Sequence, residues 1–315
     1  MHFPPVLTRA LQAQLEGVPR KTLAQAAQTM SERYRKGAGS EAIAAQADAL
    51  AYALARMPAT YAACAAMFAR VREVMPDFAP ASLLDVGAGS GAASWAAATA
   101  WPGISSITML DPNPALRELA RKLADAGLPA TDILSGDVAV QKPKADLVVA
   151  SYVLAELAED KAGAVAMDLW ASAHAALALI EPGTPAGFAR IRAARGALIA
   201  ADAHVAAPCT HDNACPMSGD DWCHFSQRLP RLRAHMQLKG AELPFEDEKF
   251  SYVALTRKPV ASRRARVLAQ PVLSKIEVTA KLCTAQGLEI ARARRRDRVA
   301  YARARRWRWG GAAAG

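Results

Sequence analysis

The sequence predicts an α/β fold: a mostly parallel sheet covered on both faces, with an N-terminal helical extension, a Cys-rich insertion and a small C-terminal β extension. Three observations predict it. Short apolar runs without polar alternation, at 82–86, 106–110, 146–150 and 196–200, read as strands buried on both faces, and helical stretches separate them. A glycine-rich turn, Gly87-Ala-Gly89-Ser-Gly91, joins the first run to a helix opening at about Ala92. Beyond Lys258-Pro259 the composition shifts and basic residues accumulate.

In chain order, residues 1–78 read as helices. Leu7, Leu11 and Leu15, then 41–57 and 60–74, have helical spacing, broken at 36–39 and at Pro58. Cys64, among alanines, is expected to be simply buried. Residues 79–258 form the sheet domain, with the Cys-rich insertion at 204–235. Asn113 is placed as an N-cap with Pro114 at the first helical position, Leu116, Leu119 and Leu123 form the apolar stripe, and Gly127 closes the helix. Residues 250–255 make one further strand. In the extension, 259–315, alternation puts Ile276, Val278, Ala280 and Leu282 on one face, and Gly287 turns the chain into a hairpin.

The 315 residues carry a net charge of +10, but residues 257–315 hold 16 of the 39 Lys and Arg against Glu277, Glu289 and Asp297, so the rest of the chain is slightly acidic. A positive field confined to the tail suits a polyanion. The start, Met1-His2-Phe3-Pro4-Pro5, has neither a basic n-region nor a long apolar stretch, and no run is long enough for a membrane span. Five cysteines without a signal sequence point to a reducing cytoplasm, where clustered cysteines mean metal or catalysis.

Asp85-Val-Gly87-Ala-Gly89-Ser-Gly91 follows a strand and opens a helix, and Asp111 ends the next strand about 20 residues on, the place of a ribose-binding acid in a Rossmann-like fold. A dinucleotide fingerprint would need a third glycine at 92, which is alanine. The Asp-x-Gly-x-Gly-x-Gly form resembles motif I of class I S-adenosylmethionine-dependent methyltransferases. That resemblance implies a class I methyltransferase-like fold. It also implies a cofactor site in which Asp85, Gly87, Gly89 and Gly91 form the loop, Asp111 holds the ribose and Asp137 faces the adenine.

Cys209, Cys215, Cys223 and Cys283 stand as C-x5-C-x7-C-x59-C. Four thiolates suit zinc or an iron–sulfur cluster, and spacing alone does not choose between them; His211 or His224 could replace one thiolate in a zinc site. Leu84-Asp-Val-Gly-Ala-Gly-Ser-Gly91, Glu181-Pro-Gly-Thr-Pro185, Pro208-Cys209, Cys215-Pro216, Trp222-Cys-His-Phe-Ser-Gln-Arg228 and the segment from Tyr252 to Arg257 together resemble the small-ribosomal-subunit-associated methyltransferase-like family, known from mitochondrial ribosome assembly and with bacterial members. Arg56-Met-Pro-Ala-Thr-Tyr61 looks like its helical lead-in. The resemblance implies a 4Fe-4S cluster on the four cysteines and the small ribosomal subunit and its rRNA as partner; a monomer in a bacterial cytoplasm is expected.

The sequence around 150–154, Ala-Ser-Tyr-Val-Leu, lacks the Pro-Pro signature of exocyclic-amine methylases, and Pro208-Cys209 follows the expected fifth strand, so Cys209 reads better as a metal ligand than as a nucleophile. Tyr152 and Glu156 remain as candidate catalytic groups at the acceptor mouth. Two functions stand side by side: an rRNA methyltransferase, or a non-catalytic RNA-binding assembly factor. In either, Arg294, Arg295, Arg296, Arg303, Arg305 and Arg306 would meet phosphates, and Trp307, with Tyr301 and Trp309, would stack on bases. A metal joining Cys283 to Cys223 would clasp the basic hairpin to the sheet domain.

Overall fold

The computed structural model describes residues 3–35, 43–139, 141–231, 236, 242–261 and 263–313. Three helices come first: α1 (Pro5–Ala13), α2 (Arg20–Arg35) and α3 (Gln46–Val74). The expected break at 36–39 lies outside the described residues. The expected break at Pro58 does not occur, and α3 runs through it. An interior proline costs about 3 kcal/mol by removing a hydrogen bond and crowding the preceding turn. Burial of Leu54, Met57, Tyr61, Met67 and Phe68 on the same helix outweighs that cost.

The sheet domain runs β1 (Ser82–Val86), α4 (Ala92–Ala100), β2 (Ser106–Asp111), α5 (Pro114–Ala124), β3 (Ala130–Ser135), β4 (Ala145–Ser151), α6 (Ala162–Ser172), β5 (Ala173–Pro182), α7 (Pro185–Ile199), β6 (His204–Ala207), β7 (Phe225–Pro230) and β8 (Phe245–Thr256). Its strand order is β3-β2-β1-β4-β5-β8-β6, with β7 also paired to β8. The pairs among β1 to β5 are parallel, and β8 enters antiparallel between β5 and β6. This is the α/β, class I methyltransferase-like architecture, and its reversal of strand order between β1 and β4 opens a crevice at the carboxyl ends of those strands.

Residues 196–200, expected as a strand, form the end of α7. A short apolar run does not distinguish strand from buried helix by itself. Here Thr184 caps the helix by accepting from the Gly187 N–H at 3.1 Å, Pro185 takes the first turn, and Phe188, Ile191, Ala194 and Leu198 repeat at helical spacing into the core. The strand beside β4 is instead β5, so Pro208-Cys209 follows the sixth strand, not the fifth. Asn113 caps α5 as expected, accepting from Ala115 and Leu116 at 2.9 and 3.0 Å.

The C-terminal part adds β9 (Arg266–Val267), β10 (Val272–Leu273), β11 (Glu277–Thr284), β12 (Gly287–Arg294) and a helix, α8 (Arg298–Ala304). The hairpin is present, with Thr284 opposite Gly287, and Val278, Ala280 and Leu282 share its buried face. Ile276 does not join them: it is 71% exposed. The Ser274 hydroxyl accepts from the N–H groups of Ile276 and Glu277, which holds Ile276 in a turn ahead of the strand. The N-terminal helices and one face of the sheet share a continuous apolar cluster, while small separate clusters lie beneath the hairpin. Among the described residues no helix is long and apolar enough to cross a membrane.

Candidate cofactor and metal sites

The glycine-rich loop sits at the carboxyl end of β1. Gly87, Gly89 and Gly91 have φ of 67°, 55° and 86°, and the N–H groups of Gly87 and Ala88 both donate to the Leu110 carbonyl, at 2.8 and 3.0 Å. A side chain at Gly87 would bring its Cβ within 2.4 Å of Val153 Cγ2, so the loop is pressed against the segment after β4. Asp85 is fully buried, and its Oδ2 accepts from the N–H and hydroxyl of Ser94 at 3.0 and 2.7 Å. Its Oδ1 has no partner, and burial pushes the carboxyl up to about 7. Asp85 thus fastens the first turn of α4 to the loop.

Asp111, at the end of β2, accepts from Gly89 N–H through Oδ2 and from Asn113 N–H through Oδ1, both at 2.8 Å. Burial raises its carboxyl despite these donors. Asp137, beyond β3, is exposed and accepts from Ala139 N–H at 2.7 Å. The structure therefore gathers Asp85, the three glycines and Asp111 into one strand–loop–helix corner and leaves Asp137 at its rim. From the other side, Asn113 Nδ2 donates to the Ile43 carbonyl at 2.8 Å, and the Tyr52 ring of α3 lies over Gly89.

At the end of β4, Tyr152 has φ of 63°, unusual for a bulky residue. Its N–H donates to Ile180 O, and its hydroxyl donates to Glu248 Oε1 of β8, both at 2.7 Å. Arg56 of α3 stands 3.6 Å from that same oxygen and 5.6 Å from the ring centroid. Burial, then the Glu248 charge, pushes the phenol well above its usual range. Glu156 lies exposed in the short helical turn Leu154–Glu156. Glu181 is a buried acid outside the expected set of site residues: Oε1 accepts from Leu154 N–H at 2.8 Å, and burial pushes the carboxyl up to about 8. Its place in Glu181-Pro-Gly-Thr-Pro185 is the available signal, but burial is invisible in a motif.

The four cysteines come from three places: Cys209 beyond β6, Cys215 and Cys223 in the connection to β7, and Cys283 on β11. All four line one pocket whose empty volume, its open mouth included, is about 570 Å³. None is in a disulfide, and Cys64 lies buried elsewhere in α3. Burial pushes the Cys209 thiol up to about 11 and raises Cys223 and Cys283, and each is raised further by facing other thiols of the set. Among the described residues no three His, Cys, Asp or Glu side chains converge closely enough to hold a single ion. His211 lines the pocket, while His224 stacks on Trp222 at 5.1 Å.

Arg195, unmarked by any motif, is a buried cation of this pocket, which Arg192 also lines. Arg195 lies on α7 and donates to the carbonyls of His211 and Asn213, each at 2.8 Å, and its charge opposes the rise of the Cys209 thiol. Trp222 donates to Gly183 O at 3.0 Å, which ties the cysteine connection to the loop after β5.

The C-terminal module is fastened to the same connection. Arg263 pairs with Asp212 through both guanidinium nitrogens, at 2.6 and 3.0 Å, and Lys281 pairs with Asp221. Buried Arg266 donates to Pro208 O at 3.3 Å and Gly310 O at 3.1 Å, and Trp309 donates to His224 O at 2.9 Å. Arg294, Arg295, Arg296, Arg303, Arg305 and Arg306 are all exposed. Trp307 is turned inward between the two small clusters with its indole nitrogen buried, and Tyr301 packs beside it.

Residues 46–313 match the family described as mitochondrial small ribosomal subunit Rsm22. The human mitochondrial ribosome assembly protein METTL17 is 30% identical over 284 residues, 83% of this chain and 61% of that protein. The mitochondrial Rsm22-cox11 tandem protein 2 of Schizosaccharomyces pombe is 28% identical over 207 residues, 57% of this chain and 28% of that one. The chain thus spans less than two thirds of either relative. Among solved structures, the magnesium protoporphyrin IX methyltransferase of Synechocystis PCC 6803 is 14% identical, covers 73% of this chain and 92% of its own, and has a TM-score of 0.43. That likeness is loose, and the fold rests on the strand order above. By the match over nearly its whole length, with the motifs in place at the carboxyl ends of the strands, the chain belongs to the Rsm22 family.

Proposed function

We infer that the chain is a small-ribosomal-subunit assembly factor that binds S-adenosylmethionine and a 4Fe-4S cluster and meets rRNA through its C-terminal module. The observation that carries this reading is the seat of the cysteine pocket: it lies on the seam between the sheet domain and the cationic module, so a group bound there fixes one against the other. The assembly role is supported by the name of the human relative. S-adenosylmethionine is supported by the loop, with Gly87, Gly89, Gly91 and Asp111 at the switch point and Asp137 at the rim.

Four thiols lining one pocket, with buried Arg195 to offset their negative charge, are a donor set that suits a cluster held by Cys209, Cys215, Cys223 and Cys283. Binding without turnover is supported by the run Ala150-Ser-Tyr-Val-Leu154, which lacks the Pro-Pro acceptor signature, and by the engagement of the Tyr152 hydroxyl with Glu248. The second reading, an rRNA methyltransferase, is favoured by the intact loop and would draw on exposed Glu156 in the turn after β4. The free cysteines fit a reducing compartment, and in this reading the protein works as a monomer in a bacterial cytoplasm.

Anaerobic purification with iron, sulfide and zinc assays tests the cluster, with about four irons and four sulfides per chain expected; stoichiometric zinc without iron would overturn it. Incubation of small subunits from a deletion strain with radiolabelled S-adenosylmethionine tests turnover. No transfer despite measured cofactor binding is expected, and label lost in Asp111→Ala would establish the methyltransferase instead.

A further inference from the structure

The C-terminal module separates its charges from its rings. Strand register puts Ile290, Arg292 and Arg294 on one face of β12, opposite Lys281, Thr279 and Glu277 of β11, while Ala291 and Ala293 point to the other face beside Ala280 and Val278. Arg292 and Arg294 are exposed, as are the aliphatic side chains of Val272 and Ile290 on the same face. The turn Arg295-Arg296 then leads into α8, whose Ala300, Tyr301 and Ala304 pack beneath the sheet, leaving Arg298 and Arg303 outward. The Arg295-Arg296 turn therefore forms an arginine-bearing edge between the outer face of β12 and α8, which packs on the opposite face.

None of the three aromatic residues of this module, Tyr301, Trp307 and Trp309, is exposed. Trp307 fills the space between the small clusters, and Trp309 is held by its bond to His224 O. Proteins that grip single strands pair their positive groove with open rings on which bases stack. This surface offers guanidinium groups and aliphatic carbon instead. Arginines two apart on a strand recur every ~6.7 Å, which puts successive guanidinium groups within reach of neighbouring backbone phosphates. Double-helical RNA, whose bases are already stacked and whose deep groove excludes side chains, is recognised by shape and by its sugar–phosphate backbone.

We propose that the corner formed by β12, the Arg295-Arg296 turn and α8 binds the backbone of double-helical RNA in preference to unpaired strands. This rests on the rRNA reading above and names the form of RNA it takes. The full chain is titrated, by fluorescence anisotropy, with a labelled 16-base-pair RNA duplex and with each of its strands alone, at several salt concentrations. The duplex is expected to bind at least tenfold tighter than either strand. The double variants Arg292→Ala/Arg294→Ala and Arg298→Ala/Arg303→Ala should each weaken it about tenfold or more and reduce the slope of log affinity against log salt by about one for each phosphate no longer neutralised. All the substituted side chains are exposed, and unchanged circular dichroism would show that the variants keep the fold. Single strands bound as tightly as the duplex, with the arginine pairs still required, would overturn the duplex preference while leaving the rRNA reading intact. Binding to neither at low salt would overturn both. Displacement of the duplex by polyglutamate at equal charge would assign the corner to an acidic protein and overturn the proposal.

Discussion

The glycine-rich loop and the cysteine pocket are built in opposite ways. The loop is local: Asp85, its three glycines, Ser94 and Asp111 lie within one strand–turn–helix–strand unit, and backbone hydrogen bonds set their positions. The cysteine pocket is assembled from β6, the connection to β7 and β11, and it exists only once the C-terminal module has docked. Local geometry can be held by the backbone alone, whereas a site built from distant segments depends on the contacts that bring them together. Arg263–Asp212, Lys281–Asp221, Arg266 and Trp309 supply part of those contacts, and a group held by the four thiols would add to them.

Loss of one ligand gives the largest expected separation of the two regions. Cys283→Ser should abolish iron binding and lower RNA affinity at least tenfold, while S-adenosylmethionine affinity by calorimetry stays within about twofold, a difference worth less than about 0.5 kcal/mol. Equal losses of both would mean that the regions are one unit. Combining it with Arg263→Ala should make the chain after residue 257 sensitive to limited proteolysis, which neither single variant does fully.

The loop breaks by a local change. Gly87→Ala forces a positive φ on alanine and a clash with Val153 Cγ2, and should cost about 2–4 kcal/mol in urea unfolding. Adding Val153→Ala should restore part of it, since only the clash is relieved and not the backbone strain.

Arg263→Ala alone should cost about 1–3 kcal/mol by stripping a half-buried carboxylate of its partner. Asp212 is pushed down to about 2 by its Arg263, Val205 and His204 bonds, which overcome its desolvation. A carboxyl lowered on folding stabilises the protein fully above its unfolded value near 4 and loses that contribution as pH falls toward 2. The wild-type chain should therefore lose stability over that window, and the variant should lose less. Arg306→Ala, on an exposed residue, should change stability by less than about 0.5 kcal/mol and show itself only in the salt dependence of RNA binding.

Much of this organisation is legible in the residues. The unalternated runs at β1, β2 and β4, the Asn113-Pro114 helix start and the β11–β12 hairpin each carry a local signal, because buried parallel strands, caps and turns constrain their own sequence. The departures have different causes. Pro58 stays helical because burial outweighs a local break, and 196–200 is helix because a run of five apolar residues is overridden by the capped helix that begins at Pro185. Glu181 and Arg195 give no sign of their roles: a buried acid and a buried cation become visible only when the groups around them are known.

The sequence by itself determined the fold class, the loop with its two acids, and the family mark in the cysteines, since each depends on neighbours in the chain or on a pattern of residue types. Only the tertiary structure decided that the four thiols face one pocket, that Arg195 stands beside them, and that Trp307 and Trp309 turn inward while the arginines face out. The physical reason is that pocket, charge partner and exposure are set by what segments far apart in the chain bury against one another, and no local pattern encodes that choice.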